Sequence, residues 1–128
     1  MIVGIGLDLC EIDRMKSAID RPHFVDRVYT AAEAGRIRAA SEHRAAEIAA
    51  GLFAAKEAVS KALATGLAGI GTADIEITPD ANGCPRCALR GKAHERAAAL
   101  CGGDYRVWVS VTHEKGMAAA TAIIEKVS

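Results

Sequence analysis

Charge of one sign is what this 128-residue chain lacks: sixteen Lys and Arg offset sixteen Asp and Glu. Without a net field, neither nucleic acid nor an anionic membrane is favoured by the chain as a whole, and any charged partner has to be met by a local patch. A long hydrophobic run is also missing. Met1 to Cys10 has no basic lead-in, and Asp8 breaks its apolar stretch, which suits neither an export signal nor a spanning helix. The expected location is therefore the cytoplasm, with Cys10, Cys84, Cys87 and Cys101 as reduced thiols. Cys84 and Cys87 have the C-x-x-C spacing of a zinc or redox pair, but no second such pair or His-x-His completes four ligands. Large apolar side chains are scarce too. The apolar fraction of 51% includes 27 alanines, so the core has to rest on Ile, Leu and Val. Internal repeats, linkers and low-complexity tracts are absent, and the length suits one domain over residues 1–128.

What is present alternates between the two regular periods. Ile2-Val-Gly-Ile-Gly-Leu-Asp-Leu is β-branched and short, which predicts a buried strand with one anomalous aspartate. A helix is expected from Glu11 to about Ile19, stopped by Pro22. Thr30 followed by Glu33 is a capping-box signature for a helix running through Ala40. His43 to Leu63 is rich in strong helix formers, and Ile48, Leu52, Ala55, Val59 and Leu63 give it one apolar face. The glycines of Thr65–Gly71 permit left-handed turns and a close approach to a ligand. Ala73–Thr78 alternates like a half-buried strand, Asp80–Gly83 has turn chemistry, and a short strand starts near Arg86. A helix over Gly91–Leu100 and a strand pair over Tyr105–Val111 and Met117–Ile124 complete an α+β domain with a mainly antiparallel sheet packed against the long helix.

Asp8 inside an apolar strand is costly as an ion unless paired or bound to a metal, so it is either a ligand or half of a salt bridge. Glu57 and Lys61 share a helix face four residues apart; the plain alternative is a solvated pair of about 0.3 to 0.5 kcal/mol. His113 closes a strand and is a binding or a structural residue.

Taken together and in order, Met1-Ile-Val-Gly-Ile-Gly-Leu-Asp8, Phe24, Arg27-Val-Tyr-Thr30 with Glu33, Phe53-Ala-Ala-Lys-Glu-Ala-Val-Ser-Lys61 and Val109-Ser-Val-Thr-His113 resemble the holo-acyl-carrier-protein synthase family, across nearly the whole chain. The resemblance implies magnesium-dependent transfer of 4'-phosphopantetheine from coenzyme A to a serine of an apo acyl carrier protein, with release of 3',5'-ADP, in support of fatty acid biosynthesis. It implies Asp8 and Glu57 as Mg²⁺ ligands beside the coenzyme A pyrophosphate, an assignment that agrees with the taste of magnesium for carboxylates plus substrate phosphates. Lys61 would add a positive charge on that phosphate, with Lys56 and Ser60 as neighbours. Glu57 or a water on the magnesium is the expected acceptor of the serine proton.

Also by resemblance, Arg44 and His113 contact coenzyme A near its adenosine and 3'-phosphate, and Arg14, Arg21 and Arg27 meet the acidic carrier protein. For Arg27 a local helix pair is the alternative. The family assembles as homotrimers with active sites between subunits. This chain departs from the family pattern at Leu52, where arginine is usual, at His23, a position that is often basic, and at Cys84, which replaces a common lysine. Two rival functions follow the same fold: a transferase serving polyketide or peptidyl carriers, which is typically about twice as long and repeated, and a catalytically silent carrier-binding module.

Overall fold

The computed structural model describes residues 1–64 and 69–127. The chain runs β1 (Ile2–Glu11), α1 (Ile12–Ile19), α2 (Pro22–Val28), α3 (Ala31–Ala39), α4 (Glu42–Ala62), β2 (Ile75–Pro79), β3 (Pro85–Leu89), α5 (Gly91–Cys101), β4 (Tyr105–Glu114) and β5 (Met117–Lys126), with a 3-10 turn at Thr72–Asp74 before β2. β1, β5 and β4 form one antiparallel sheet in that order, while β2 and β3 form a separate hairpin. The glycine-rich turn predicted over Thr65–Gly71 falls largely outside the described residues.

Every predicted strand and helix is present, and one helix is additional. Pro22 ends α1 but also opens α2, because a proline at the first helical position gives up an N–H that has no intrahelical partner there. Thr30 and Glu33 make the expected capping box. The long helix differs from expectation in its burial. Instead of one apolar face it is enclosed nearly all round, with Ala46, Ala49, Ala50, Ala54, Ala55 and Ala58 at 0% exposure. Its alanines let the sheet and the other helices close in from several sides.

Against β1 that approach is extreme. A Cβ on Gly4 or Gly6 would lie 1.9 or 1.8 Å from the carbonyl oxygen of Ala62 or Ala58, so only glycine lets the strand lie on α4. Gly4, Gly6 and Asp8 alternate onto this inner face. β1 is accordingly not a fully buried strand. Its other face carries Ile5 (72% exposed), Leu7 and Leu9, and the cross-strand row Ile5, Ile123, Trp108 continues that face over the sheet.

The hairpin is tied to α4 by a buried ion pair. Glu33 and Lys56 are fully buried and 2.7 Å apart. Glu33 also accepts from the Thr30 and Ile77 backbone N–H groups at 2.8 and 2.7 Å, and Lys56 donates to the carbonyls of Thr72 and Ile75. One carboxylate thus caps α3 and joins it to α4 and β2, and every donor and acceptor it brings into the interior is used. At the hairpin tip, Asp80 accepts from the N–H groups of Asn82 and Cys84, while Gly83 takes φ +82°.

Candidate active site

Asp8 reaches the edge of α4 because Gly4 and Gly6 bring β1 down onto that helix. The Lys61 ammonium sits 2.9 Å from Asp8 Oδ1 and donates to the Leu7 carbonyl at 3.0 Å. Glu57, one helical turn before Lys61, is half-buried. Burial foremost, and then the negative charge of Asp8, push its carboxyl above the ordinary value of 4.5, with Lys61 pulling partly the other way. Lys61 pairs with Asp8 and only influences Glu57 from a distance, so two carboxylates stand near one ammonium, leaving net negative charge and an acid that ionises reluctantly. A divalent cation would relieve that repulsion.

The donor set suits magnesium. It offers hard carboxylate oxygens from two residues, and among the described residues no group of three or more His, Cys, Asp or Glu could make an all-protein cage. One or two carboxylates completed by phosphates and waters is how magnesium is usually held.

A second cluster lies further up α4. Arg44 and His113 each face Glu47, at 3.6 Å from Oε1 and 3.4 Å from Oε2, on the wall of a cleft of about 180 Å³ between α3, α4, the hairpin and β4. Gly51, Leu52 and Arg36 also line it. Arg44 and Glu57 are thirteen positions apart in α4, about 20 Å along the axis.

Not every predicted residue reaches either place. Lys56, expected beside the phosphate, is buried under Glu33, where an ammonium with a carboxylate and two carbonyls has no face toward a ligand. Ser60 is likewise buried, and its hydroxyl donates to the Glu57 carbonyl at 2.8 Å. Arg14 and Arg21 line a recess beside α1 with Cys10, Phe24 and Phe53, and the Arg21 guanidinium lies 5.5 Å over the Phe24 ring. Arg27 is exposed near the end of α2, away from that recess. Glu47 and Arg36 escaped the sequence reading. Glu47 could have been found as the residue three after Arg44 on one helix face, whereas nothing local marks Arg36. The four cysteines are free, and burial pushes the Cys87 thiol up to about 12.

Known proteins share this sequence pattern and fold. A profile of the 4'-phosphopantetheinyl transferase superfamily matches residues 4–118. The chain is 44% identical over 126 residues to a holo-[acyl-carrier-protein] synthase of Clostridium acetobutylicum, covering 98% of each. The crystal structure of a holo-(acyl-carrier-protein) synthase from Bacillus anthracis in complex with CoA (3',5'-ADP) superposes with a TM-score of 0.83 at 33% identity, covering 99% of both chains. The solved structure of a Plasmodium yoelii acyl carrier protein synthase with ADP bound gives 0.88 at 27% identity, covering 100% of this chain and 98% of the other. The chain therefore belongs to the 4'-phosphopantetheinyl transferase superfamily, and within it to the holo-[acyl-carrier-protein] synthases, which are transferase enzymes.

Proposed function

We propose that this enzyme moves 4'-phosphopantetheine from coenzyme A to a serine of an apo acyl carrier protein in a magnesium-dependent reaction that releases 3',5'-ADP and serves fatty acid biosynthesis in the cytoplasm. The observation that carries the reading is the convergence of Asp8 with Glu57 and Lys61, the last 53 positions away in sequence, at one net-negative spot. Asp8 and Glu57 would hold the ion. When bound, magnesium would neutralise the pyrophosphate oxygens and ease the departure of 3',5'-ADP.

The remaining work falls to the chain's own groups. The serine Oγ attacks the phosphorus that carries the pantetheine arm, and the bond from that phosphorus to the oxygen of 3',5'-ADP breaks. The Lys61 ammonium offers positive charge to the phosphoryl oxygens as they gain charge. Glu57 or a bound water is the proposed acceptor of the serine proton. Arg14 and Arg21, with Arg27 further along α2, would meet the acidic carrier.

The assembly proposed is a homotrimer with the active site between subunits. Two features support it. The outer sheet face leaves Ile5, Leu7 and Leu9 at 60% exposure or more, a contiguous apolar patch that a partner would cover. In addition, the Arg44/His113 cluster and the Asp8/Glu57/Lys61 cluster of one chain are further apart than the few bonds between the ribose 3'-phosphate and the pyrophosphate of coenzyme A can span. A second copy would bring complementary clusters together.

Mass spectrometry of an apo acyl carrier protein incubated with the enzyme, coenzyme A and Mg²⁺ tests the reaction. The expected result is one added phosphopantetheine, lost with chelator and with Asp8→Ala. A folded protein that binds coenzyme A and modifies no carrier would instead be a binding module.

A further inference from the structure

We propose that Arg36 selects coenzyme A over its dephospho form, its guanidinium binding the ribose 3'-phosphate in the cleft between α3 and α4. The inference rests on the transferase reading above.

The cleft holds two permanent positive charges, Arg36 and Arg44, and one carboxylate, Glu47. Glu47 is already shared among Arg44, His113 and His43. Arg36 is half-buried, and among the described residues it has no carboxylate within ion-pair distance and no side-chain hydrogen bond. A guanidinium in a cleft wall with no carboxylate of its own has its charge and forked donors available to an anion supplied from outside. Leu52 in the same wall brings no charge of its own.

The chemistry of the donor narrows which anion. Coenzyme A carries two anionic groups, the pyrophosphate and the 3'-phosphate. Lys61 and the carboxylates that would hold magnesium account for the first, and they lie about 20 Å or more down α4 from Arg44. The cleft, at about 180 Å³, is smaller than sites that enclose a whole drug-sized ligand, so it takes one end of the coenzyme. A phosphate monoester at that end matches the forked donors of arginine, which can bind two of its oxygens at once.

The test compares wild type, Arg36→Gln and Arg36→Lys for calorimetric affinity and KM with coenzyme A and dephospho-coenzyme A. Arg36→Gln is expected to weaken coenzyme A roughly 10- to 100-fold, the range for a hydrogen bond to a charged group. Its kcat and its affinity for dephospho-coenzyme A should be unchanged, so that the two donors become nearly equal. Arg36→Lys should recover part of the preference. Equal weakening of both donors, or no change with either, overturns the assignment while the wild type still transfers. A wild type that neither binds nor transfers from coenzyme A would instead bring down the transferase reading, and this one with it.

Discussion

At the scale of single residues, the charged groups of α4 divide by depth. Glu57 is half-buried against Asp8, and its carboxyl titrates above 4.5. Between the unfolded value and the raised folded one, the folded chain binds more protons, so metal-free stability falls as pH rises through that window. Glu57→Gln should therefore flatten this part of the pH dependence and match or exceed the wild-type melting temperature at neutral pH without metal. Added Mg²⁺ should then stabilise the wild type only. Thermal melts across pH with and without Mg²⁺ check this, and a variant that loses stability in metal-free buffer contradicts it. Lys56, one residue earlier, is enclosed with Glu33. Lys56→Met leaves that carboxylate buried without its cation, at a cost of about 3 to 5 kcal/mol. An unchanged urea midpoint would refute the pairing as a source of stability.

Between elements, the contact of β1 with α4 sets the geometry of the site. Gly6→Ala places a Cβ 1.8 Å from the Ala58 carbonyl oxygen, backbone that cannot swing aside. The strand has to lift, carrying Asp8 away from Glu57 and Lys61, so both stability and Mg²⁺-dependent transfer should fall together. Gly35 is the contrast. It lies within α3, a Cβ there meets nothing within 4 Å, and Gly35→Ala should stabilise by about 0.5 to 1 kcal/mol. Paired denaturation and transfer assays separate the two cases; equal effects would mean that close packing is not what requires Gly6.

For the whole molecule, the exposed apolar face of the sheet is the feature a monomer explains least. Ile5 is 72% exposed in the middle of that face, and its neighbours across the strands are Ile123 and Trp108. On the proposed homotrimer, Ile5→Glu should give a monomer in light scattering and remove most transfer activity, while leaving the fold intact because the inner face is untouched. A monomeric wild type, or an Ile5→Glu trimer of full activity, would count against the interface.

Much of this was legible in the residues. A short β-branched run located β1, alternation located β2 and β4, Thr30 and Glu33 announced the start of α3, and the order of Asp8, Glu57, Lys61 and His113 within their motifs identified the family before any coordinate. These signals are local: period, capping and motif depend on neighbours in the chain. What the sequence left open depends on contacts between distant segments. Lys56 and Lys61 look alike on one helix, and only the packing of α3 and β2 against α4 buries the first while the second reaches Asp8. Asp8 as ligand or ion-pair partner could not be separated from the strand alone; in the fold it lies beside both Lys61 and Glu57. Arg36 carries no sequence mark at all. Its meaning arises where α3 leans over a cleft whose only carboxylate is taken by Arg44 and His113, and the side chains meeting there come from positions 36 to 113, which only the folded chain brings together.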